Sequence, residues 1–428
     1  MLNVLKIALR NLARFQRRTF LTATLITLGV VAVLLFIATA GSFKQMMIGQ
    51  FTDALLGHIE IHRKGYVASI DNLPLNLNMQ PAMVGKIEQL LDKTPGIEAY
   101  SERVKLGAMF SNFTETTSVR VNGIDPGREA ATTPLMPGRI VEGSKASPLL
   151  KPGEILIPTL LARGMNVKVG DTIVLVATNR DGSVNGKTFT VRGIMEAVSG
   201  PYGRDAYIRI EDARSLLRMT QPEVSEIAIR LKDPGTLDAT YARLSREIPA
   251  LSGQGSTPDP AKKAAGAPGG GGLEVHTWAA LSPFSHIAEM IDLLTLFIKI
   301  MLVSIVIVSI LNVMVMAVYE RVREIGTIAA IGTPPRRILS LFLTEGLLLG
   351  VGGAVIGTVI SLAGIYALNV WKIHFDFGMQ QGLVLSPSIS PRDVAIIAGV
   401  VVLIALAASL QPAWKASRMD PVRALTHV

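Results

Sequence analysis

The chain has 428 residues, 49% of them hydrophobic and only 18% charged, with a formal net charge of +9 and no cysteine. An ordinary soluble protein carries about 25% charged residues, so the imbalance points to lipid. Disulfides, zinc–thiolate centres, iron–sulfur ligation and cysteine nucleophiles are excluded, and the basic residues sort by position in a way that argues for membrane orientation and against nucleic acid.

Residues 1–18 read as an amphipathic helix. Leu5, Ala8, Leu9 and Leu12 share one face, while Lys6, Arg10, Arg14 and Arg17 share another. Such a helix either lies flat on an anionic lipid surface or is a basic flank that only sets topology. Residues 19–43 carry no charge and are long enough to cross a bilayer, which takes about 20 apolar residues. Ala38-Thr39-Ala40 resembles a signal-peptidase site. However, the apolar run is longer than the roughly 7–15 residues of a signal-peptide core. Phe43, Met46, Met47, Phe51 and Leu55 also continue past it at helical spacing. We expect an uncleaved helix that leaves the membrane as a stalk.

Residues 44–284 hold nothing of spanning length and form one large domain. His58–His62 alternates like a strand, Ala82–Leu91 like an amphipathic helix, and Ile97–Val104 and Ser118–Asn122 like strands. Ile173–Ala177 and Thr188–Val191 follow, then a strand–helix–strand unit over Glu226–Leu231, Leu237–Glu247 and Leu273–Trp278. These elements give a mixed α/β subdomain from about 44–125 and 201–284, with an all-β insertion at about 126–200. The Gly-, Pro-, Ala- and Ser-rich stretch 252–272 cannot bury a core and is expected to be a disordered loop.

A second stalk over 285–299 leads into span two, residues 300–319. A charged elbow covers 320–338, span three 339–371, a short loop 372–392, span four 393–414 and a tail 415–428. Arg321, Arg323, Arg336 and Arg337 lie in the elbow, and Lys415, Arg418 and Arg423 in the tail, but the loop offers only Lys372 and Arg392. By the positive-inside rule, the termini and elbow face the cytoplasm and the large domain lies outside. The fold class is an α-helical membrane protein with four transmembrane helices and a large extracytoplasmic α/β domain containing a β-rich insertion.

Apparent chemistry mostly dissolves. Gly182-Ser-Val-Asn-Gly186-Lys187-Thr188 lacks the first glycine of a phosphate-binding loop, Asp181 standing in its place, and leads into a strand where the motif needs a helix. Asp181-Gly182 and Asn185-Gly186 read instead as hairpin turns. His58, Glu60 and His62 share a strand face and could hold a metal, but a solvated face is the more frequent outcome and no third well-placed ligand is evident. Neither a nucleophile elbow nor a catalytic carboxylate pair stands out, so no enzyme site, cofactor site or metal site is expected.

The elbow says more. Glu320-Arg-Val-Arg-Glu-Ile-Gly326 is followed by Ala330-x-Gly332, and Thr333-Pro334 is a helix-start signal. It is either a rigid lever for a cytoplasmic partner or a tight connection whose charges set topology. In span three, Gly346, Gly350, Gly353, Gly357, Ser361 and Gly364 keep to one face, which suits close helix packing better than a polar path. Glu345 stands at the membrane edge, where an ionisable group is a functional candidate by default; its plainer role is pairing with Arg337 or the adjacent elbow.

Glu320-x-x-Arg323-Glu324-Ile325-Gly326, Ala330-x-Gly332, Ile338, Phe342 and Glu345 together resemble the signature of the FtsX-like permease family. Pro412-Ala413-x-x-Ala416 with Pro421-x-x-Ala424-Leu425 resembles its closing segment, and Ala8-x-x-Asn11-Leu12 with Arg17-Arg18-Thr19 its opening. That family includes MacB exporters, the lipoprotein-release permeases LolC and LolE, and the cell-division permease FtsX. The resemblance implies a dimeric subunit of the bacterial inner membrane, paired with a second copy or a paralogue. A separate cytoplasmic ATPase would bind the ATP and Mg, since only 18 residues precede span one. The same resemblance makes Glu320, Arg321, Arg323, Glu324, Ile325, Gly326, Arg336 and Arg337 candidate ATPase contacts. It further implies a periplasmic adaptor or carrier and a lipidated, hydrophobic or periplasmic cargo, the alternative being a signalling subunit that activates a cell-wall hydrolase. One departure is the short turn of the Val174–Val191 hairpin, where the lipoprotein-release subunit that recruits a carrier has a longer protruding loop.

Overall fold

The computed structural model describes residues 2–196, 205–251, 272–282, 284–377, 380–420 and 424. The Gly-rich segment 252–272, apart from Gly272, lies outside them, as do Pro283 and most of 421–428. The chain divides into a helical unit (1–45, 289–375 and 384–428) and a sheet-bearing unit (46–288 and 376–383).

Helix α1 (Leu2–Arg14) precedes α2 (Gln16–Phe51) with a break of one residue. In α1, Ala8 is fully buried, whereas Ile7, Leu9, Lys6, Arg10 and Arg14 are exposed. Helix α2 contains the expected first span and the Ala38-Thr39-Ala40 triplet without interruption.

The sheet-bearing unit begins with β1 (Ile59–Arg63), α3 (Pro81–Lys93), β2 (Ile97–Ser111) and β3 (Thr116–Ile124). Then come α4 (Pro126–Thr132), β4 (Ile140–Gly143), β5 (Glu154–Pro158), α5 (Thr159–Gly164), β6 (Thr172–Thr178) and β7 (Val184–Met195). After β8 (Ala206–Arg209) and α6 (Ile210–Leu216), the unit closes with β9 (Glu226–Leu231), α7 (Leu237–Leu251) and β10 (Leu273–Thr277).

One long strand organises this unit. The first half of β2 pairs with β9 in an open sheet of order β10-β1-β9-β2. Ile59 and Ile61 of β1 and Ile227 and Ile229 of β9 pack there with Ile87 and Leu91 of α3 and Leu244 and Ile248 of α7. The second half of β2 pairs with β3 on one side and β6 on the other. Strand β6 continues to β7, β7 to β5, β5 to β8, and β8 back to β3, so six strands close into a ring. Closure leaves the ring no open edge. Alternate residues Val104, Leu106, Ala108 and Phe110 of β2 fill its core with Val121, Leu175, Phe189 and Ile208.

The β-rich part is therefore wider than residues 126–200 and is not all β. It takes in β2 from Val104, β3, β8 and α6, and it contains α4 and α5. Chain order had assigned β2 and β3 to the α/β part, but their inward side chains belong to the ring core. Asn185-Gly186 is likewise no turn: both residues lie inside β7, opposite Ala177 and Val176, and the turn spans Asn179–Ser183.

The helical unit continues with α8 (Ser285–Glu320), α9 (Val322–Ala330), α10 (Pro335–Trp371) and α11 (Pro391–Ser417). A short hairpin, β11 (His374–Phe377) and β12 (Gln380–Val384), lies between α10 and α11. Among the described residues, four helices are long and apolar enough to cross a membrane: Thr19–Leu56, Ser285–Glu320, Pro335–Trp371 and Pro391–Ser417. Gly332 stops the chain after α9 with φ +93°, a conformation that favours glycine. Pro334 then stands at the cap of α10, with Pro335 in its first turn. Ile26, Val30, Ile310, Met314, Phe342 and Ala405 form the centre of this unit's core.

Candidate functional site

The elbow is built around one buried charge pair. Arg321 follows the last residue of α8, and Glu345 lies in the third turn of α10; their side chains are 6% and 1% exposed. One guanidinium nitrogen of Arg321 donates to Glu345 Oε1 at 3.0 Å, and its Nε donates to Glu324 Oε2 at 3.0 Å. The Arg321 guanidinium also lies 5.5 Å from the Phe15 ring centroid and 5.7 Å from that of Phe342. Asn11 of α1 donates to the same Glu345 oxygen at 2.8 Å, and Arg14 reaches Glu324 at 3.6 Å. Helices α1, α8, α9 and α10 are thus tied at one point by charge-assisted hydrogen bonds, which are roughly twice as strong as neutral ones.

This arrangement divides the candidate ATPase contacts. Glu320, Arg323, Arg336 and Arg337 are exposed, and Glu324 is partly so. Arg321, Ile325 and Gly326 are buried, so they are supports of the elbow and not surface contacts. The partner of Glu345 is Arg321 of the elbow and not Arg337. Asn11, Phe15 and Phe342 complete the cluster. Asn11 and Phe342 were visible as motif positions, but nothing in the sequence spacing shows that they meet Glu345 and Arg321.

The small-residue face of α10 meets two different helices. A Cβ at Gly346 or Gly350 would come 2.5 Å from Ser409 Oγ or Ala405 Cβ of α11. At Gly353 and Gly357 it would come 2.5 Å from Ile26 and 2.7 Å from Val30 of α2, and at Gly364 3.3 Å from Leu35. Ser361 is fully buried, and its hydroxyl donates to the Gly357 carbonyl at 2.7 Å. Backbones therefore approach closely along the whole face, as glycine permits.

The sheet-bearing unit holds a second buried cluster, where β2 passes from the open sheet into the ring. Arg103 forks onto Glu129 of α4 at 2.6 and 3.1 Å and reaches Glu226 of β9 at 3.1 Å. Lys105 Nζ lies 2.7 Å from Glu226, and His62 Nε2 lies 3.3 Å from both Glu60 and Glu226. All six side chains are nearly inaccessible. Burial alone would lower the His62 pKa, but its hydrogen bonds to Glu226 and Glu60 outweigh this and raise it to about 9. Burial pushes Glu226 upward, yet Lys105, His62 and Arg103 hold its carboxyl far below the usual range. With His62 protonated, Glu60, Glu129 and Glu226 balance Arg103, Lys105 and His62.

Glu60, His62 and Glu226 bring their ligand atoms within 4.8 Å of one another, so the histidine face is buried and not solvated. The trio is poor in free negative charge, because Lys105 and Arg103 already neutralise Glu226. His58 behaves in the opposite way to His62. Burial lowers its pKa, and its Nδ1 accepts the Leu231 N–H at 3.2 Å, as a neutral ring does.

Residues 19–247 match the family described as MacB-like periplasmic core domain, and residues 296–421 match FtsX-like permease C-terminal. The chain is 24% identical over 429 aligned positions to the lipoprotein-releasing system transmembrane protein LolC of Neisseria meningitidis, covering 94% of this chain and 92% of that protein. It is 22% identical over 359 positions to the lipoprotein-releasing system transmembrane protein LolE of Haemophilus influenzae, covering 79% and 80%. The pyoverdine export ATP-binding/permease protein PvdT of Pseudomonas syringae is 40% identical over 119 positions, 28% of this chain but only 16% of its own length. Among solved structures, the periplasmic region of MacB from Actinobacillus actinomycetemcomitans is similar at 11% identity and TM-score 0.35, over 55% of this chain and 92% of that one.

Proposed function

Since the chain belongs to the permease family with a MacB-like periplasmic core domain and an FtsX-like C-terminal segment, we propose that it couples ATP hydrolysis by a separate cytoplasmic ATPase to movements of its periplasmic unit. It is an ABC transporter permease subunit of the inner membrane with a periplasmic domain. Both termini and the elbow face the cytoplasm, in keeping with the basic residues beside the spans. The observation that carries the coupling is the elbow itself. Exposed Glu320, Arg323, Arg336 and Arg337 sit on a short helical connection backed by the buried Arg321–Glu345 pair. A push on such a connection displaces α8 and α10 instead of bending a loop.

The ATP and Mg belong to the partner. Gly186, Lys187 and Thr188, the segment nearest a phosphate-binding loop, lie in the middle of β7, whereas that loop needs to open a helix. These residues do not fit a nucleotide, so ATP hydrolysis is assigned to the partner.

The cargo is hydrophobic or lipidated and is extracted from the outer leaflet. The LolC and LolE relatives support this, because their similarity extends over most of the chain, including the periplasmic unit. A second permease copy or a paralogue completes the membrane assembly, and a periplasmic adaptor or carrier receives the cargo. The short β6–β7 turn offers no protruding loop for such a protein; beside it is an open cleft of about 420 Å³ lined by polar Arg180, Asp181, Arg218 and Gln221 and by apolar Leu75 and Leu217. Depleting the chain from its host and following newly made lipoproteins in spheroplasts tests the cargo assignment. They should stay in the inner membrane; release at the normal rate would rule the assignment out.

A further inference from the structure

Helices α1, α9 and α10 enclose a cleft of about 350 Å³ beside the elbow. Ile7, Ile328, Leu341 and Phe342 give it apolar walls, while Thr333, Arg337 and the Arg321–Glu324 ion pair add polar groups. We propose that this cleft binds one anionic phospholipid, with its phosphate on Arg337 and the first methylenes of its acyl chains on Ile7, Ile328, Leu341 and Phe342.

Charge selects the headgroup. Arg321 is neutralised by Glu345 and Glu324, but Arg337 is exposed and, among the described residues, has no carboxylate within ion-pairing distance. The first turn of α10 opens at the same place without a side-chain cap; Pro335 brings no N–H and the Arg337 N–H already donates to the Pro334 carbonyl, so the helix dipole and the Arg336 N–H are what favour an anion there. Lys6 and Arg10 of α1 are also exposed, adding positive charge to this end of the unit.

Depth selects a lipid over a soluble anion. The charge-free run of α10 begins at Gly346. At 1.5 Å per residue, Phe342 and Leu341 lie about 6–8 Å before it and Arg337 about 14 Å. The headgroup layer is about 5–8 Å thick on each side of a bilayer. The apolar walls of α10 therefore fall within that layer, and Arg337, whose backbone lies about 6 Å beyond it, reaches the phosphate only through its long side chain. The cleft is at the small end of ligand pockets, which run to about 300–1,000 Å³, and holds a headgroup and the start of its chains better than a peptide helix. This inference rests on the membrane placement of the helices and not on ATPase docking.

The test is native mass spectrometry of the full chain in detergent, titrated separately with dioleoylphosphatidylglycerol, dioleoylphosphatidylcholine and inorganic phosphate. One phosphatidylglycerol per chain should be retained, phosphatidylcholine at least tenfold less, and inorganic phosphate should not displace the lipid. Arg337→Gln and Ile328→Gln, both at exposed positions, should each lower retention at least tenfold; Lys372→Gln, with the same charge change, should not. Equal retention of the two lipids, displacement by inorganic phosphate, or wild-type retention in both cleft variants would overturn the proposal. So would a purified ATPase partner that expels the lipid and loses affinity with Arg337→Gln while lipid retention is unchanged. That last result would leave the coupling function standing and make the cleft its docking site.

Discussion

Arg321 and Glu345 meet at 3.0 Å with almost no solvent contact, joining the end of α8 to the third turn of α10 across the whole elbow. Among the described residues Glu345 Oε2 is buried without a hydrogen-bond partner, so Oε1, shared with Asn11, carries the connection. Breaking one side of a buried pair costs about 3–5 kcal/mol, whereas replacing both partners by apolar residues is often neutral. Arg321→Met alone should therefore lower thermal stability and expose the elbow to protease. Arg321→Met with Glu345→Met should recover most of both. Equal damage from the single and double variants would mean that the pair does not act as a unit.

A pH dependence follows from the sheet-bearing unit. The His62 pKa is raised from 6.5 to about 9 in the folded chain, so its contribution is fully present below about pH 6.5 and is lost as pH rises through 9. The shift corresponds to about 3 kcal/mol. Thermal unfolding followed by Trp278 fluorescence, in variants lacking Trp371 and Trp414, should shift downward between pH 7 and 9.5. His62→Gln should start lower and show a much flatter slope over that range. An unchanged slope would place the alkaline sensitivity elsewhere.

Two adjacent glycines of α10 should respond in opposite ways. A Cβ at Gly353 would come 2.5 Å from Ile26, but one at Gly352 would meet nothing within 4 Å. Gly353→Ala should cost about 1–3 kcal/mol by overpacking, and Gly352→Ala should be neutral or stabilising by up to about 1 kcal/mol. Thermal unfolding of the two variants in the same detergent checks the contrast.

Local pattern made many of these elements legible, and long-range pairing hid the rest. Strands β6 and β9 and helix α7 follow directly from periodicity. The ring does not, because its closure depends on β2 meeting β6 and on β3 meeting β8, pairings that no local signal specifies. The Asn185-Gly186 dipeptide read as a turn since its preference is real, but seven consecutive pairings between β6 and β7 override it. Arg103 and Glu226 are 123 positions apart, and Arg321 and Glu345 are 24 apart, one between two helices and the other inside a third. Sequence identifies Glu345 as a charge at a membrane edge; only the fold shows which cation neutralises it.

Topology can be read with protease. Protease added outside intact spheroplasts should cut within 252–272 and leave 320–337 untouched. Protection of the Gly-rich stretch until lysis would reverse the orientation.

If the exposed charges of the elbow hold the ATPase, neutralising them must release it. Because Glu324 already pairs with Arg321 and Arg14, its reversal would disturb the elbow internally. Arg323→Gln with Arg336→Gln changes only exposed side chains and leaves the Arg321–Glu345 pair in place. Charge pairs buried at an interface cost about 2–5 kcal/mol when one partner is lost, more than tenfold in affinity. The decisive measurement is the amount of ATP-hydrolysing subunit that co-purifies with the tagged permease from its host membrane. The double variant should insert at the wild-type level and retain less than a tenth of the ATPase, while Lys372→Gln with Arg392→Gln in the opposite loop retains all of it. Wild-type recovery of the ATPase with the elbow variant would contradict the account and reduce the elbow to a connection between two spans.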